Sequence, residues 1–220
     1  MEEITIGIIG NGPDELVPDL KRYKDNVDIW IGADRGALLL LQNGLPINYA
    51  LGDFDSISKN ERELIKSKAI HFESFSSEKN ETDLELAIEK AFLLEPKTIL
   101  LFGVTGGRID HELTNIQLLY AISNRGLKGI IIDKSNHIEW TEPGTHQVRN
   151  NPTYPFISFI PFTTEVTGIT LKGFYYPLEN EKIGFGSTRT ISNKLTGENG
   201  TYSYERGILL LIKSRDLRPN

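Results

Sequence analysis

The segment Leu51-Gly52-Asp53-Phe54-Asp55-Ser56-Ile57-Ser58 follows an apolar run and carries two aspartates separated by one residue. In an extended chain, residues i and i+2 face the same side. This spacing predicts that Asp53 and Asp55 face solvent together while Phe54 packs into the core. Neighbouring carboxylates usually need a compensating cation, and Ser58 is suited to begin a helix over 60–65. The segment indicates a strand end at the ligand-binding edge of an α/β sheet, although a plain polar turn fits the motif equally well.

The first part of the chain alternates apolar, strand-like runs with amphipathic, helix-like runs. The strand-like runs cover residues 4–9, 27–33, 49–51, 69–75, 98–102 and 129–133. Helices are predicted over 15–23, 37–42 and 60–65, from Thr82 to Phe92, and over 110–122. The alternation predicts an α/β domain with a mostly parallel sheet, flanked by helices and joined by right-handed crossovers.

After about Lys134 the helical periodicity disappears. Short β-type runs follow at 137–141, 145–148, 156–160, 166–171, 201–204 and 208–213, with Gly, Pro and Asn between them. This pattern predicts an all-β antiparallel sandwich or barrel, and we expect two domains, 1–134 and 135–220. Residues 186–193 are rich in hydroxyl groups and suit either a binding loop or a hairpin turn. We expect the aromatic residues 174–176 to serve in packing.

Polar residues also stand where other predicted elements begin or end. Asp34 follows the second strand, as Asp53 follows the third, although each alone could cap a helix. Thr82 and Glu85 have the spacing of a capping box. Asp83 in the first helical turn is favoured by the helix dipole. Thr82, Asp83 and Glu85 therefore have a structural explanation that needs no metal ion.

A second polar segment, residues 103–115, follows the fifth strand. Adjacent glycines at 106 and 107 allow close backbone approach to a nucleotide, and Arg108 can bind phosphate with two hydrogen bonds. His111 and Asn115 are four residues apart and share a helix face. This convergence favours nucleotide binding over the alternative, in which Asp110 caps the helix and His111 is a surface residue.

Composition excludes several classes of protein. The 220 residues carry a formal net charge of −6, without a basic run interleaved with aromatics, so nucleic-acid binding is not expected. Without cysteine there is neither a disulfide nor a thiolate zinc site. The longest apolar run, residues 37–41, is too short to span a membrane. The start at Met1–Glu3 is acidic and unlike a secretory signal, and we expect a cytoplasmic protein.

Taken together, these segments resemble the thiamine pyrophosphokinase family over nearly the whole chain and in the same order. The resemblance rests on Ala33-Asp34-Arg35-Gly36-Ala37, Gly52-Asp53-Phe54-Asp55-Ser56, Thr82-Asp83, Gly103-Val104-Thr105-Gly106-Gly107-Arg108-Ile109-Asp110-His111 and Ile191-Ser192-Asn193. One departure is Arg35, where many members have a second glycine. Arg35 is thereby itself a candidate contact of ATP.

The resemblance implies a homodimer with its active site between subunits. Each subunit would have an α/β domain that binds ATP and a β-sandwich domain that binds thiamine. The implied reaction is a Mg²⁺-dependent transfer of the pyrophosphoryl group of ATP to the hydroxyl of thiamine, giving thiamine diphosphate and AMP. The absence of a G-x-x-x-x-G-K-[ST] loop argues against a P-loop kinase.

The resemblance also implies roles for individual residues. The acids that hold Mg²⁺ or lie beside it are Asp34, Asp53, Asp55 and Asp83, the last three also being catalytic. The residues near ATP are Asp34, Arg35, Thr82, Arg108, Asp110, His111 and Asn115. Ser192 and Asn193 match a motif near thiamine.

Two other functions are compatible with the acidic pair. A metal-dependent glycosyltransferase can hold the metal of a sugar nucleotide with Asp-x-Asp, although the glycine-rich segment and the β-rich second half fit it less well. A non-catalytic nucleotide sensor would bind the metal without turnover.

Overall fold

The computed structural model describes residues 3–76, 78 and 80–217, so Met1 and Glu2 of the acidic start lie outside the described residues. The chain divides into two compact units, residues 1–134 and 135–220. Within the described ranges, no helix is long and apolar enough to cross a membrane.

The first unit contains a six-stranded parallel sheet in the order β4-β3-β2-β1-β5-β6. Its strands are β1 (Thr5–Ile9), β2 (Ile29–Ala33), β3 (Tyr49–Gly52), β4 (His71–Ser74), β5 (Thr98–Phe102) and β6 (Lys128–Ile132). The four central strands are almost fully buried, as expected when helices cover both faces of a sheet. The predicted strands and the mainly parallel sheet are therefore confirmed.

Four α-helices connect these strands: α1 (Gly36–Gln42), α2 (Lys59–Lys68), α3 (Asp83–Phe92) and α4 (Ile109–Ser123). Ser58 begins α2 with a complete capping box, in which its hydroxyl accepts from the Glu61 N–H and its own N–H donates to the Glu61 carboxylate. The Thr82 hydroxyl accepts from the N–H of Glu85 and begins α3. Local capping chemistry thus sets both helix starts where the sequence predicts them.

The helix predicted over residues 15–23 is wrong. Two 3₁₀ helices, Asp14–Leu16 and Leu20–Asn26, occupy this region instead. Pro18 explains the break, because proline has no N–H and disfavours helical geometry in the residue before it. Val17 is accordingly extended, with φ −68° and ψ 128°.

The strand order of the sheet reverses beside β1. Strands β2, β3 and β4 follow on one side of β1, whereas β5 and β6 lie on the other. The loops after β1 and β5 are held together: the Gly10 N–H donates to the Phe102 carbonyl at 2.8 Å, and the Gly12 N–H donates to the Gly103 carbonyl at 2.7 Å. A Cβ atom at Gly12 would lie 2.7 Å from that carbonyl oxygen. In open α/β sheets, such a switch point is where ligands bind.

The second unit is an antiparallel β-sandwich. Its sheets have the orders β7-β13-β9 and β11-β10-β12-β8. The strands are β7 (Asn136–Thr141), β8 (Gly144–Arg149), β9 (Phe156–Pro161), β10 (Glu165–Lys172), β11 (Leu178–Gly184), β12 (Asn199–Tyr204) and β13 (Leu209–Ser214). Side chains from both sheets form one core, including Phe159, Val166 and Leu211. Of the predicted sandwich and barrel, the sandwich is correct.

Strand β11 was not predicted from the sequence. Its sequence, Leu-Glu-Asn-Glu-Lys-Ile-Gly, buries only Ile183. Because β11 is at a sheet edge, charged side chains are tolerated there and discourage pairing with another chain. An exposed edge strand therefore lacks the apolar pattern on which the prediction depends.

Candidate active site

A cleft of about 620 Å³ opens at the switch point of the first unit. It is lined by residues 10–13, 33–35, 82–84, 103–104, 106–108, 111 and 115. These residues belong to the end of β2, to the loops after β1, β2 and β5, to the start of α3 and to the first two turns of α4. The cleft therefore lies where the strand order alone would place a ligand.

Seven residues predicted for the site line this cleft: Asp34, Arg35, Thr82, Asp83, Arg108, His111 and Asn115. Asp53 is not among the described lining residues, but one of its carboxylate oxygens lies within 4.8 Å of oxygens of Asp34 and Asp83, which do line the cleft. Asp55 and Asp110 are not among the described residues that line the cleft. Ser192 and Asn193 belong to the second unit.

Asp34, Asp53 and Asp83 form a group of three carboxylates. One oxygen of each lies within 4.8 Å of the others. Asp34 follows β2, Asp53 follows β3, and Asp83 is the first residue of α3. Adjacent parallel strands end at the same edge of the sheet, which brings together residues far apart in sequence.

Asp55 is not part of the carboxylate group found among the described residues. The expectation that it faces the same side as Asp53 assumed an extended chain, whereas Phe54 has a left-handed φ of 59°. The chain turns there, and the backbone N–H of Asp55 donates to Asp53 Oδ1 at 3.1 Å. Phe54 is buried as predicted and stacks on Phe72, with ring centroids 4.7 Å apart.

The backbone holds Asp34 in an unusual conformation. Its φ is 50°, a left-handed value that is unfavourable for most residues with a side chain. The Asp34 N–H donates to the Leu51 carbonyl at 2.7 Å. Gly52 makes this approach possible, because a Cβ atom there would lie 3.0 Å from the Asp34 N and Cα atoms. The ends of β2 and β3 therefore pack closely against each other at Asp34.

The two oxygens of the Asp34 carboxylate have different surroundings. Oδ2 accepts from the Ser56 hydroxyl and, at 3.2 Å, from the Asn11 amide. Oδ1 is buried without a hydrogen-bond partner among the described residues. Burial raises the pKa of the Asp34 carboxyl above its ordinary value, the Ser56 hydrogen bond opposes this, and the charges of Asp83 and Asp53 raise it further.

This arrangement fits a hard divalent cation. An unpaired buried carboxylate oxygen is unfavourable, and two neighbouring carboxylates add repulsion. Three carboxylates supply the oxygen ligands that Mg²⁺ or Ca²⁺ prefers. Asp34, Asp53 and Asp83 are therefore the described residues that could hold a metal ion.

Arg35 lines the cleft but is already engaged by Asp14. Its Nη1 and Nη2 atoms donate to the two Asp14 carboxylate oxygens at 2.5 and 2.6 Å. This hydrogen bond lowers the pKa of Asp14. The pair joins the loop after β1 to the start of α1. Asp14 was not predicted as a site residue, because no local pattern connects residues 21 positions apart.

Three side chains shape the glycine-rich loop after β5. The Asn115 amide donates to the Val104 carbonyl at 2.7 Å, and the Glu112 carboxylate accepts from the Gly106 N–H at 2.9 Å. The Thr105 hydroxyl donates to the buried Asp133 carboxylate at 2.7 Å. Asn115 therefore supports the loop in addition to lining the cleft.

Arg108 and Asp110 form an exposed ion pair at the start of α4, with Nη2 and Oδ2 2.6 Å apart. The pair raises the pKa of Arg108 and lowers that of Asp110. Arg108, rather than Asp110, occupies the cap position, so the capping alternative for Asp110 is wrong. His111 is exposed and lines the cleft.

Asn193 is buried and has a scaffold role in the second unit. Its Oδ1 accepts from the N–H groups of Tyr176 and Lys194, at 3.0 and 2.9 Å. Its Nδ2 donates to the Tyr176 carbonyl at 2.8 Å. The neighbouring Ser192 is exposed, with a left-handed φ of 55°.

The aromatic residues beside Asn193 differ from expectation. Phe174 is buried as predicted, but Tyr175 and Tyr176 are 68% and 60% exposed. Their rings contact each other edge to face, 5.0 Å apart. A packing role was expected because aromatic residues are usually buried, but Tyr175 and Tyr176 lie in an exposed bend whose backbone is held by Asn193.

Asn11 and Ser56 were not predicted as site residues, although both follow predicted strands. Asn11 stands in a Gly-Asn-Gly turn after β1, and Ser56 ends the Gly-Asp-Phe-Asp-Ser motif. Their position shortly after the predicted strands, where parallel sheets bind ligands, was the available signal. Their shared partner, Asp34, becomes evident only from the folded chain.

The fold and the cleft define an α/β protein with a cleft at the carboxyl ends of parallel strands, beside a donor set that suits a hard divalent cation. Family models give this class a particular identity. One described as "Thiamin pyrophosphokinase, catalytic domain" matches residues 20–131, and one described as "Thiamin pyrophosphokinase, vitamin B1 binding domain" matches residues 145–209.

Relatives and solved structures agree with these models. Thiamine pyrophosphokinase of Bacillus subtilis is 45% identical over 212 residues, covering 96% of this chain and 99% of that protein. A crystal structure of the Bacillus subtilis enzyme matches with a TM-score of 0.92 at 45% identity, covering 97% of this chain and 100% of that one. The thiamin pyrophosphokinase of Geobacillus thermodenitrificans matches with a TM-score of 0.87 at 39% identity, covering 97% and 99%. The chain belongs to the thiamine pyrophosphokinase family of enzymes, which confirms the resemblance found in the sequence.

Proposed function

We propose that this enzyme transfers the pyrophosphoryl group of ATP to the hydroxyl of thiamine in a Mg²⁺-dependent reaction that yields thiamine diphosphate and AMP. The observation that carries the proposal is the group of Asp34, Asp53 and Asp83 beside the switch-point cleft. The first unit would bind ATP and the second thiamine, in agreement with the ranges that the two family models match.

The reaction forms a bond between the thiamine hydroxyl oxygen and the β-phosphorus of ATP. The bond from the β-phosphorus to the oxygen that bridges it to the α-phosphate breaks, and AMP leaves with that electron pair. The hydroxyl proton passes to a base. Positioning and neutralisation of phosphate charge supply most of the catalysis in such transfers.

Asp34, Asp53 and Asp83 would hold Mg²⁺. When bound, the ion neutralises phosphate charge and orients the phosphate oxygens. The unpartnered, buried Oδ1 of Asp34 supports this assignment. Asp55 is exposed and outside the group of three, and we assign it the acceptance of the hydroxyl proton.

Arg108 and His111 are the exposed polar side chains of the cleft that we assign to ATP phosphates. Asp110 orients Arg108 through their ion pair. Arg35 retains guanidinium N–H groups beyond the two that Asp14 accepts, and we assign these to ATP as well.

Thr82 contributes to the ATP site by beginning α3 and fixing Asp83, and Asn115 by supporting the loop after β5. For thiamine, we assign the contact to Ser192, whereas Asn193 shapes the backbone beside it.

Family membership also supports a homodimer with its active site between subunits and a cytoplasmic location. Light scattering on a size-exclusion column tests the dimer: a mass of one subunit at working concentration would contradict it. Fractionation of the producing cells tests the location.

One assay tests the reaction. The protein is incubated with ATP, Mg²⁺ and thiamine, and AMP and thiamine diphosphate are quantified. We expect equal amounts of both products, with none when Mg²⁺ is chelated. Turnover of a UDP-sugar without AMP formation would favour a glycosyltransferase, and tight ATP binding without either product would favour a nucleotide sensor.

A further inference from the structure

Two hydrogen-bond donors from different loops converge on one oxygen of Asp34. Ser56, after β3, donates its hydroxyl to Oδ2, and Asn11, after β1, donates its amide to the same oxygen at 3.2 Å. Neither donor is needed to fill the core, because both residues are exposed while Asp34 is 5% exposed. Their common effect is to fix the orientation of the Asp34 carboxylate.

The other oxygen, Oδ1, is left buried without a partner among the described residues. The backbone adds to the restraint, since the Asp34 N–H is held by the Leu51 carbonyl at 2.7 Å. The carboxylate thus has one oxygen committed to the protein and one remaining for a ligand. Asp34 shares its carboxylate group with Asp53 and Asp83.

We propose that Asn11 and Ser56 are positioning residues that make Asp34 a one-oxygen metal ligand and thereby favour Mg²⁺ over Ca²⁺. The inference rests on the proposed metal site. Mg²⁺ requires near-octahedral geometry with short bonds of about 2.0–2.1 Å, whereas Ca²⁺ accepts more ligands in a flexible geometry and can bind a carboxylate through one or both oxygens. Binding through both Asp34 oxygens would require Oδ2 to give up its hydrogen bonds to Asn11 and Ser56.

The test compares Ser56→Ala with the matched control Ser56→Thr, which keeps the hydroxyl. Mn²⁺ binding to the nucleotide-free full chain is measured by electron paramagnetic resonance from micromolar to millimolar concentration. Mg²⁺ and Ca²⁺ affinities are obtained by displacement of Mn²⁺. Asn11→Ala removes the second donor to the same oxygen and provides an independent variant.

We expect Ser56→Ala to weaken Mg²⁺ and Mn²⁺ binding by about tenfold, the lower end for loss of a group that orients a metal ligand. Ca²⁺ binding should weaken much less, because Oδ2 then keeps the 3.2 Å hydrogen bond to Asn11 without that to Ser56 and is more readily available to Ca²⁺. Asn11→Ala should shift the ratio of affinities in the same direction, and Ser56→Thr should retain the wild-type ratio. The melting temperature in chelator should change by no more than about 2 °C for these exposed positions.

The inference would be overturned if Ser56→Ala and Asn11→Ala both kept the wild-type ratio of Ca²⁺ to Mg²⁺ affinity, whether the two affinities stayed the same or fell by equal factors. The metal site itself is tested separately with Asp53→Asn. If the wild type binds Mn²⁺ and Asp53→Asn does not, the metal site stands whatever the ratio shows. If the wild type binds no Mn²⁺, both the site and this inference fail.

Discussion

Asp34 in the first unit and Asn193 in the second are both buried polar residues in family motifs, with 5% and 2% exposure. Their hydrogen bonding differs. Asn193 uses both its amide oxygen and its amide nitrogen to hold the backbone of Tyr176. Asp34 keeps one oxygen unpartnered among the described residues. Occurrence in a motif therefore does not distinguish a ligand-binding residue from a scaffold residue, whereas the hydrogen-bond partners of each buried polar atom do.

The largest effect is expected at the carboxylate group. Asp53→Asn should lower turnover by about 10²–10³-fold, as when a group that stabilises transition-state charge is removed. The melting temperature in chelator should be unchanged or higher, because one of three neighbouring negative charges is lost. Turnover and thermal unfolding are the two measurements. A marked loss of stability with a proportional loss of activity would make Asp53 a structural residue.

The Asp55→Asn variant tests whether Asp55, which lies outside the group of three carboxylates, also takes part in the reaction. We expect Asp55→Asn to lose about 10²-fold in turnover, the lower range for removal of a general base, with unchanged affinity for Mn²⁺. Steady-state kinetics and Mn²⁺ titration measure the two quantities. Near-normal turnover would remove the proposed proton-accepting role.

Asn193→Ala should act on stability. It leaves the Tyr176 N–H and carbonyl without their partner, which costs about 1–3 kcal/mol in the free energy of unfolding. Urea unfolding measures this loss. The fraction that remains folded should bind ATP normally. A variant as stable as the wild type would show that Asn193 is not a scaffold residue.

Ser192→Ala should have a more selective effect. The side chain is exposed, so we expect unchanged stability and a KM for thiamine raised by about tenfold, equivalent to one hydrogen bond. The KM for ATP serves as the internal control and should stay the same. An unchanged KM for thiamine would exclude Ser192 from the site.

The smallest effect is expected at Asp14. Asp14→Asn removes the carboxylate that orients the Arg35 guanidinium. Because a less ordered guanidinium binds ATP less well, the KM for ATP should rise by about threefold, in keeping with a partly exposed ion pair. Because the pKa of Asp14 is lowered in the folded protein, the pair stabilises the fold above the ordinary carboxyl pKa of about 3.9 and loses this effect as the pH falls through the lowered value. The melting temperatures of the wild type and Asp14→Asn should therefore converge as the pH falls through the lowered pKa of Asp14. A constant difference across this range would contradict the assignment.

Much of the fold follows from the sequence, because buried parallel strands need continuous apolar runs. The six predicted strands of the first unit and the starts of α2 and α3 agree with the structure. Strand β11 was missed because an exposed edge strand has no apolar pattern. The helix predicted over 15–23 is wrong because Pro18 interrupts the helical backbone at Val17.

Less of the site could be predicted, since its geometry depends on contacts between distant segments. The left-handed φ of Phe54 separates Asp55 from Asp53, and no local pattern indicates this turn. The pairing of Arg35 with Asp14 and the convergence of Asn11 and Ser56 on Asp34 are set by how strands β1, β2 and β3 lie side by side.

We propose that Asp34, Asp53 and Asp83 hold the divalent cation of the reaction. The most direct measurement is the anomalous scattering of Mn²⁺ in crystals grown with thiamine and α,β-methylene-ATP, in which the bond to be broken is blocked. We predict a peak within about 2.0–2.3 Å of one oxygen from each of the three aspartates, a typical range for a hard cation. A peak coordinated by the nucleotide alone, with these carboxylates out of reach, would contradict the account.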